Sequence, residues 1–430
     1  MVSEVFLLNK RIQQVAIIGG GPAGSTLAIK LARAGIKTVI FDVGKRPELI
    51  VGESLIPAVM PIIWDLGVEK EIKEYSILKP GASVWMKEDE EASGEYTRAA
   101  GNLPPYSYHV PRDKFDETLL KAAVREGAHL IRERAKLEKQ TGDNELKLSS
   151  ESLGLARNYL DGEPDLIVDA SGRTRVVSKI LNITYDEGER KDWALFAHLN
   201  KANLTDNGHV HMHRCEHGWS WRIPLHDRAS VGVVTDPRHL ERYGSTLEEQ
   251  FDNFIKQEPG IQKFTKDSTR ISGVLKYNNY QLISHKMVGH GWALTGDAAG
   301  FLDPVFSSGV YLAMKSGMEL SSAIVEGTPK AFYQYEKMWI NELTLWQSMV
   351  DSWYNGRLFT LFRLGQDMMN NPVGKAIEPH MAGQLIQIFT GGAIDSRYSR
   401  NFLPFATGKL LDIMKWMGLN KRNPEDLVIR

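Results

Sequence analysis

The sequence predicts an α/β protein in which a Rossmann-like nucleotide-binding domain carries an inserted β-sheet domain and a helical C-terminal extension. Three observations lead to this prediction: a strand, glycine turn and helix near the N-terminus, extended turn-rich stretches in the middle, and a helical apolar pattern from about residue 330. The nucleotide-binding domain is expected to be discontinuous, with the sheet domain inserted into it. The expected segments are 1–75, 110–190 and 285–325 for the nucleotide-binding domain, 76–109 and 190–285 for the substrate-side sheet, and 326–430 for the helical region.

The glycine turn has the spacing of a dinucleotide site. The stretch Gly19-Gly20-Gly21-Pro22-Ala23-Gly24 follows a short apolar run and opens a helical segment. Gly19 permits the tight turn, Gly21 lets a pyrophosphate approach the backbone, and Gly24 allows helix and strand to pack closely. The phosphates would then lie at the helix N-terminus, where backbone N–H groups favour anions.

A second strand, Lys37 to Asp42, ends in a carboxylate about twenty residues beyond the glycine turn. Asp42 is therefore expected to accept a hydrogen bond from ribose hydroxyls. Strand, helix, second strand and acid in this order predict a dinucleotide site, whereas the glycine pattern alone would be weak.

The heptapeptide Gly218-Trp219-Ser220-Trp221-Arg222-Ile223-Pro224 is predicted to be extended. Side chains alternate along a strand, so Trp219, Trp221 and Ile223 share one face. Taken alone, this pattern is more typical of a core strand that ends at Pro224. Its position between the glycine turn at Gly19 and a Gly-Asp pair at Gly296 favours a second role, beside a bound cofactor.

Three further segments favour FAD as the dinucleotide that is bound. Gly291 to Gly300, with Gly296 and Asp297, resembles the second FAD fingerprint of the aromatic-hydroxylase superfamily, whose aspartate meets the ribityl chain. Asp165 to Thr174 resembles the Asp-Ala-x-Gly segment of that superfamily, and Val110 to Asp116 resembles its Arg-x-x-Phe-Asp helix start, which would put Arg112 near the phosphates or the ribityl chain. Each could separately be a surface turn or a helix cap.

Within that superfamily the chain resembles the flavin-dependent halogenases over roughly residues 12 to 325. The segments that carry the likeness are the turn at Gly19, the strap Val51-Gly52-Glu53-Ser54-Leu55-Ile56-Pro57, the Trp219 to Pro224 motif, and Phe301 to Gly309, which fits Phe-x-x-Pro-x-x-Ser-x-Gly. The resemblance implies a GR2-type FAD-binding fold, with Ser54 of the strap among the cofactor contacts.

The resemblance also assigns a halide site. The backbone amides of Ser308 and Gly309 would bind chloride, bromide or iodide, while Pro304 and Val310 would lie against the flavin. Backbone N–H groups hold an anion without adding a reactive side chain, and glycine permits close approach. The alternative is an ordinary glycine at a helix end.

The implied chemistry uses FADH2, O2 and the halide. The family forms a flavin C4a-hydroperoxide, the halide attacks its terminal oxygen, and a lysine directs the resulting hypohalous acid. Ser76 to Ser83 resembles the Lys-x-Gly-Ala segment that carries this lysine, so Lys79 is the candidate catalytic residue. A solvated surface lysine is the alternative; burial would instead lower its pKa and favour the nucleophilic amine.

The resemblance gives the Trp motif a role and narrows the substrate. The residues that would line a tunnel and keep the organic substrate from the flavin are Trp219, Trp221, Ile223, Pro224 and Phe306. Tryptophan halogenases carry a glutamate where this chain has Phe306, which resembles the phenol and pyrrole halogenases. A phenolic or pyrrolic substrate is therefore favoured over indole, either free or tethered to a carrier protein.

Composition agrees with a cytoplasmic enzyme. The chain of 430 residues is long enough to bury a large core. Its 52 basic and 53 acidic side chains nearly balance, so the net charge does not favour binding to nucleic acid. Cys215 is the single cysteine, which excludes an intrachain disulfide. The apolar run Val5 to Leu8 is too short and wrongly ordered for a secretory signal, and no membrane span is expected.

Four further features of the sequence have more than one interpretation: a histidine cluster, a charged segment, an apolar helical stripe and a basic tail. His209, His211 and His213 alternate on one strand face, but no carboxylate or second cysteine accompanies them, so a metal site is rejected. Segment 86–103 is interpreted as a mobile loop. The residues at helical spacing are expected to pack on the flavin domain, with pocket lining or subunit contact as alternatives: Trp339, Leu343, Trp346, Val350 and Trp353. The basic tail is interpreted as solvated surface, with an acidic carrier as the alternative partner: Lys409, Lys415, Lys421, Arg422 and Arg430.

Three functions therefore remain open: a halogenase, a hydroxylating or ring-reducing flavoenzyme of the same superfamily, and a non-catalytic flavin-binding protein. The Trp motif, Lys79 and the Phe301 to Gly309 segment favour the first. Since no second nucleotide fingerprint is present, reduced flavin is expected to come from a separate reductase or a flavin pool.

Overall fold

The structure is a computed structural model that describes residues 11–44, 46–47, 49–99, 101–139, 146–200, 207–368, 372–395, 397–416 and 424–430. The run Val5 to Leu8 and the tail residues Lys421 and Arg422, which the sequence analysis singled out, lie outside these ranges. Among the described helices, none has the length and apolar content needed to span a bilayer.

Strands and helices alternate in the first part of the described chain, and helices dominate its last part. The strands are β1 Gln14–Ile18, β2 Lys37–Phe41, β3 Ile77–Lys79, β4 Gly81–Lys87, β5 Glu90–Glu95, β6 Ser107–His109, β7 His129–Ile131, β8 Leu137–Lys139, β9 Leu146–Leu148, β10 Leu166–Asp169, β11 Tyr185–Leu199, β12 Val210–Cys215, β13 Gly218–Pro224, β14 Ala229–Thr235, β15 Leu275–Ser284, β16 Val288–Gly289, β17 Trp292–Leu294 and β18 Gly300–Phe301. The helices are α1 Pro22–Arg33, α2 Met60–Leu66, α3 Glu69–Lys73, α4 Arg112–Arg125, α5 Ser150–Ala156, α6 Val176–Ile180, α7 Pro237–Leu240, α8 Leu247–Gln257, α9 Gln262–Thr265, α10 Gly309–Glu326, α11 Pro329–Tyr354, α12 Arg357–Met368, α13 Pro372–Thr390, α14 Gly392–Asp395, α15 Arg397–Phe405 and α16 Leu411–Trp416.

The first sheet has the strand order β16-β17-β10-β1-β2-β7 and is parallel except at β16. Strand β1 is buried on both faces, which is typical of a parallel sheet covered by helices. The unit β1–α1–β2 is the predicted strand, glycine turn, helix and second strand. The predicted α/β class with a Rossmann-like sheet is confirmed.

The second sheet has the order β18-β15-β11-β14-β13-β12-β4-β5 and is mixed, because β12 and β4 run parallel while the other neighbours are antiparallel. It also takes in Gly300–Phe301, from a segment expected in the nucleotide-binding domain. In β13 the indoles of Trp219 and Trp221 share a face with Ile223, and Arg222 points to the other side, where its guanidinium covers the Phe264 ring. The predicted alternation is confirmed.

Segment 86–103 is the clearest correction to the sequence analysis. Its first half is not a loop: β4 and β5 form a hairpin, and Trp85 pairs with Glu91 across it. A turn follows at Tyr96–Arg98, where the Tyr96 N–H donates to the Pro80 carbonyl. The charged run was mistaken for a loop because edge strands commonly carry charged side chains.

The C-terminal region is helical, as predicted, and the expected apolar stripe on α11 is buried in the main core. The pattern is divided between two helices: α11 ends at Tyr354 with Asn355 as its C-cap, and Gly356 adopts a left-handed φ of 77° before α12 begins. Helices α12 and α13 then fold back toward the β4–β5 hairpin, because Arg363 of α12 pairs with Glu90 and Arg98 pairs with Glu378 of α13.

The glycine turn gives a direct stability test. A Cβ at residue 24 would lie 2.0 Å from the Gly19 carbonyl oxygen, whereas a Cβ at residue 21 would meet no atom within 4 Å. We expect Gly24→Ala to lower the free energy of unfolding by about 3 kcal/mol through overpacking, and Gly21→Ala to change it by less than about 1 kcal/mol. Urea unfolding of the two variants without cofactor measures both values. Equal losses would contradict the close approach at Gly24.

Candidate active site

A cavity of about 330 Å³, called the first cavity below, opens between the glycine turn, the strap and the face of the second sheet that carries Trp219. Most of the sequence-predicted cofactor residues lie on its wall: Gly19, Gly21, Ala23, Asp42, Ser54, Arg112, Asp297, Pro304, Gly309 and Val310. So do three of the predicted barrier residues: Trp219, Trp221 and Ile223.

Other predicted site residues do not line this cavity. Gly24 and Gly296 serve packing: a Cβ on Gly296, whose φ is 60°, would lie 2.8 Å from the Ala23 Cβ. Ser308 is instead beside Gly309 on a small recess of about 20 Å³ that also touches Gly296 and Asp297. The remaining three are buried behind the wall: Lys79, Pro224 and Phe306.

The Asp42 carboxylate organises the end of the cavity nearest the glycine turn. It accepts hydrogen bonds from the Gly20 N–H at 2.6 Å and the Gly44 N–H at 2.7 Å. Arg46 pairs with Asp42 at 3.3 Å and donates to the Gly20 carbonyl at 2.8 Å. An acceptor and a cation therefore stand beside the backbone approach at Gly21, which is the combination that a ribose and a pyrophosphate need.

Arg112 fastens the strap to α4. Its guanidinium pairs with Asp116 at 2.9 Å and donates to the Val51 carbonyl at 2.5 Å. Desolvation would lower the pKa of Arg112, but the Asp116 carboxylate raises it above its usual value. Arg112 is therefore a permanent cation at the cavity wall, facing the side of Asp297.

Asp297 lies half-buried at the opposite wall. Desolvation raises the pKa of its carboxyl to about 6, and the charges of Arg173 and Arg112 oppose that rise. A carboxyl in this state can accept hydrogen bonds from hydroxyl groups and also exchanges its proton near neutral pH.

The geometry of the first cavity fits a dinucleotide such as FAD. Added Cβ atoms at Gly21 and Gly309 would meet nothing within 4 Å, so both backbones are open to a ligand. Ser54 Oγ and Arg46 Nε are buried on the wall without a partner among the described residues. Buried polar atoms of this kind need a partner, which a phosphate, ribityl or isoalloxazine group would supply.

The loop before α10 is strained and capped. Asp303 accepts the Val305 N–H at 3.0 Å, and Ser307 takes a left-handed φ of 56°, which is uncommon for a residue with a Cβ. Helix α10 then begins at Gly309 and runs 18 residues, with Ser308 as its N-cap residue. Its first N–H groups have no intrahelical acceptor and carry the positive end of the helix dipole, so Ser308 and Gly309 stand where an anion is favoured.

Lys79 is one of the most buried cations among the described residues, at 1% exposure. Its Nζ donates to the Leu55 carbonyl at 2.7 Å, one residue beyond Ser54, and lies 5.7 Å from the centre of the Tyr96 ring. Desolvation lowers the pKa of Lys79 to about 7. The ammonium and the amine are therefore both populated near neutral pH, and the alternative of a solvated surface lysine is excluded.

A second cavity of about 540 Å³ lies between the β4–β5 hairpin and helices α12 and α13. Its wall is mainly apolar and includes Ala82, Val84, Leu361, Phe362, Leu385, Ile386 and Phe389. The Arg98–Glu378 ion pair, 2.9 Å long, lies at its side. Sequence reasoning missed this cavity because its walls come from a presumed loop and from helices that match no motif.

Aromatic rings separate the two cavities, and we call this set the aromatic partition: Trp219, Phe306, Trp353 and Phe389. Trp219 lines the first cavity and Phe389 the second. Ring centres are 6.4 Å apart for Trp219 and Trp353, 6.0 Å for Trp353 and Phe306, and 5.7 Å for Phe306 and Phe389. Phe306 thus lies inside the partition and on neither cavity wall.

Three residues of the first cavity were missed by sequence reasoning. Arg173 and Tyr277 line it together, with the guanidinium 4.8 Å from the tyrosine ring centre, and Arg46 lies at the phosphate end. Arg173 directly follows Ser171-Gly172 in a segment that was recognised, so a basic residue after that turn was an available signal. Tyr277 is placed by strand pairing alone and has no local signal.

The histidine strand has other partners. His209 lies within hydrogen-bond distance of Ser83 Oγ at 3.0 Å and Glu95 at 2.9 Å, and His213 accepts from Arg222 at 3.0 Å. Within the described ranges, no three histidine, cysteine or carboxylate side chains are arranged to hold a metal ion.

The lowered pKa of Lys79 predicts an unusual pH dependence of stability. Because the unfolded lysine binds its proton up to about pH 10.5 and the folded one only up to about 7, the cost of burying the charge is greatest at or below pH 7 and disappears by about 10.5. Wild type should therefore gain stability relative to Lys79→Met as pH rises from 7 to 10, by at most about 1.4 kcal/mol per pH unit. Denaturant unfolding at four pH values measures this difference. A pH-independent difference would mean that Lys79 titrates normally.

The fold and site can be compared with known proteins. The family model described as tryptophan halogenase matches residues 69–362. The 1H-pyrrole-2-carbonyl-(peptidyl-carrier protein) chlorinase of Pseudomonas fluorescens is 29% identical over 385 residues, covering 81% of this chain and 85% of that protein. Tryptophan 2-halogenase of Chondromyces crocatus is 28% identical over 381 residues, covering 84% and 72%.

Solved structures show the same architecture. The myxobacterial chondrochloren halogenase, an FAD-dependent halogenase, superposes with a TM-score of 0.69 at 25% identity over 91% of this chain and 99% of that one. A flavoprotein/dehydrogenase from Cytophaga hutchinsonii superposes with a TM-score of 0.80 at 24% identity, over 95% and 100%. Since the family model covers most of the chain, the chain belongs to the tryptophan halogenase family, a family of flavin-dependent oxidoreductases.

Proposed function

We propose that this protein halogenates an electron-rich aromatic substrate, with phenols and pyrroles favoured, using reduced FAD, O2 and a halide ion. The observation that carries the proposal is the position of Lys79. It is a fully desolvated lysine whose two neighbours, Leu55 and Tyr96, belong to the segments that border the first and second cavities.

In this proposal the first cavity holds FAD. Gly19, Gly21 and Ala23 meet the pyrophosphate, Asp42 holds the ribose, and Asp297 and Arg112 take the ribityl and phosphate region. Ser54 lies on the same wall and supplies a hydroxyl that has no partner within the described part of the chain. A bound, reduced FAD would supply the two electrons that bring O2 to the peroxide oxidation level, and oxygen at that level would oxidise the halide to hypohalous acid.

The halide is assigned to the N-terminus of α10. The amides of Ser308 and Gly309 border the 20 Å³ recess, and Pro304 and Val310 lie on the adjoining wall of the first cavity. Backbone N–H groups at a helix start favour a monovalent anion. The nearby Asp297 would oppose the anion when ionised, but its pKa of about 6 allows it to be protonated in part.

Lys79 is proposed to receive the hypohalous acid, either by a hydrogen bond to the ammonium or as the amine that becomes a haloamine. Around it, four buried polar atoms have no partner among the described residues: Ser54 Oγ, Tyr96 Oη, Ser107 Oγ and His109 Nδ1. Such atoms require a small polar guest, water in the resting enzyme or hypohalous acid in turnover.

The second cavity is proposed to hold the aromatic substrate. Its apolar wall and its volume of about 540 Å³ suit a small ring, and the aromatic partition would keep that ring from the flavin. This separation is the physical difference between halogenation and direct hydroxylation of the ring. Residues 82–98 contribute one wall of the second cavity, so segment 76–109 stays assigned to the substrate side. Helices α12 and α13 contribute the other wall, so we assign them to the substrate side as well.

Phe306 favours rings that need no assistance in losing their proton. It stands in the aromatic partition, so the position where tryptophan halogenases carry a glutamate supplies no carboxylate here; the carboxylates on the second cavity wall, Glu91 and Glu378, belong to other elements. The oxygen of a phenol and the nitrogen of a pyrrole donate electrons into the ring, so these rings react without the help of a carboxylate. A relative from Pseudomonas fluorescens is named as a chlorinase of a carrier-bound pyrrole, which supports testing carrier-tethered as well as free substrates.

The overall reaction consumes reduced FAD, O2, one halide ion, one proton and the aromatic C–H, and yields oxidised FAD, the aryl halide and two waters. Reduced flavin is proposed to come from a separate reductase, because the chain carries a single Gly-x-Gly-x-x-Gly turn, which the FAD would occupy, and no further one for NADH or NADPH. Rapid reduction of the bound flavin by NADH or NADPH alone would overturn that part and favour a monooxygenase or ring reductase.

The central test is Lys79→Ala with purified protein, FAD, a flavin reductase, NADH and bromide. Wild type should give brominated phenols or pyrroles, seen as an isotope doublet by mass spectrometry. The variant should lose at least about a hundredfold in product while NADH oxidation continues. Lys30→Ala, which removes a partly exposed lysine paired with Asp65, is the control and should behave as wild type. Unchanged bromination by Lys79→Ala would remove Lys79 from the mechanism, and hydroxylated products from wild type would reject halogenation.

The substrate cavity has its own test. Ala382 on α13 lines the second cavity, whereas Ala376 on the same helix faces solvent. Ala382→Trp should fill the cavity and raise the KM for the aromatic substrate about tenfold or more, with FAD affinity unchanged. Ala376→Trp is the matched control. Equal KM values in the two variants would show that the ring binds elsewhere.

A further inference from the structure

One hydroxyl group joins the loop that precedes α10 to the Trp motif. Tyr354, the last residue of α11, donates to Asp303 Oδ2 at 2.6 Å and accepts from Trp219 Nε1 at 3.2 Å. The three residues come from distant parts of the chain, since Tyr354 is 51 positions from Asp303 and 135 from Trp219. This hydroxyl group of the C-terminal helical region therefore bonds to both the loop and the Trp motif, in addition to the packing of Trp353 against Trp219 and of Trp339 and Leu343 around the recess at Ser308.

Asp303 holds the shape of that loop. Its Oδ1 caps the 3-10 turn at Val305, and the turn leads directly into the left-handed Ser307 and the start of α10. The side chain is almost completely buried, so the carboxylate depends on its hydrogen bonds for its orientation. A change at Oδ2 would therefore reach Ser308 and Gly309 through the capped turn.

Trp219 is one of two buried indoles on the first cavity wall whose N–H has a partner, the other being Trp221, which donates to Ser230 Oγ at 3.4 Å. Trp292, Trp339, Trp346 and Trp353 each have a buried Nε1 without a partner among the described residues. Trp219 instead donates to Tyr354, and its ring lies on the wall of the first cavity. An indole with a satisfied N–H is fixed about its χ angles as well as by packing.

The surroundings keep the tyrosine hydroxyl protonated. Burial and the Asp303 carboxylate raise the pKa of Tyr354 well above its usual value. The Arg190 guanidinium lies 4.4 Å from the ring centre but is itself paired with Asp192 at 2.6 Å. Tyr354 is therefore a permanent donor to Asp303 and can accept from Trp219 at the same time.

We propose that Tyr354 is a positioning residue that couples the halide-binding loop to the Trp219 barrier, so that the anion site and the wall of the tunnel are set by the same hydroxyl group. This inference rests on the proposed function for the halide assignment. Removing the hydroxyl would take one hydrogen bond from Asp303 and the acceptor from Trp219 Nε1, so the turn and the ring would both be held less firmly. Halide affinity would then fall, and oxidised halide would escape past the barrier.

The variant Tyr354→Phe tests this coupling, and the chain offers a closely matched control. Tyr243 also accepts one hydrogen bond, from Arg242 at 2.6 Å, and donates one to a buried carboxylate, Glu258, at 2.6 Å. It belongs to a separate apolar cluster that does not border the first cavity. Tyr243→Phe therefore reproduces the loss of the same bonds without touching the halide loop.

The first measurement is a bromide titration of the oxidised, FAD-loaded proteins, followed by the visible absorbance of the flavin. Tyr354→Phe should raise the bromide dissociation constant about tenfold, while Tyr243→Phe keeps the wild-type value. FAD affinity and thermal midpoints should be similar in the two variants. If Tyr354→Phe does not fold, Asp303→Asn, which keeps the side-chain shape and the Val305 cap, should show the same rise.

The second measurement is the ratio of brominated product to escaped oxidant, read as hydrogen peroxide and hypobromous acid, which should fall in Tyr354→Phe. Unchanged bromide affinity and product ratio would overturn the coupling even if wild type halogenates. The proposed function can fail independently of the coupling. Wild type that binds bromide but brominates nothing would reject the proposed function, while the bromide titration would still decide whether Tyr354 couples the loop to Trp219. Absence of bromide binding to wild type would overturn the inference.

Discussion

The alternation of side chains along β13 is the constraint on which the active site depends. Since successive residues of a strand face opposite sides, Trp219 and Trp221 can line the first cavity only if Ser220 and Arg222 face away from it. Gly232 on the neighbouring strand makes room for the Trp221 ring, because a Cβ there would lie 2.2 Å from it. A slip of one residue would exchange two indoles for a hydroxyl and a guanidinium and open the partition.

Desolvation then shifts the pKa values of two groups near that wall, Lys79 behind it and Asp297 on the wall of the first cavity. The same removal of water that lowers the pKa of Lys79 to about 7 raises that of Asp297 to about 6. A base and an acid with ordinary values more than six units apart are thereby brought within about one unit of each other. Neither shift requires a nearby charge of the same sign, because burial alone is the leading cause of both.

The sequence was informative where function needs a particular residue type at a particular spacing. The glycine turn, Asp42 and the Trp219 strand could be predicted because backbone approach, ribose binding and strand alternation each constrain local sequence. The second cavity could not, since its walls are ordinary apolar residues such as Leu385 and Ile386, whose meeting with Ala82 depends on tertiary packing. Tyr354 is missed for the same reason: one more aromatic residue on an amphipathic helix carries no local sign of the two hydrogen bonds that its hydroxyl makes.

The two cavities share no wall residue among those described, and they draw on different elements: the glycine turn, strap and α10 for one, the β4–β5 hairpin with α12 and α13 for the other. Substitutions in the apolar wall of the second cavity therefore change none of the residues that line the first, provided that the aromatic partition, which includes Phe389, is kept. Under the proposed assignment of the substrate to the second cavity, specificity can diverge through changes in one edge hairpin and two helices, while the residues assigned to the cofactor and the halide stay under separate selection. Helix α13, which carries part of that wall, lies beyond the residues that the family model matches.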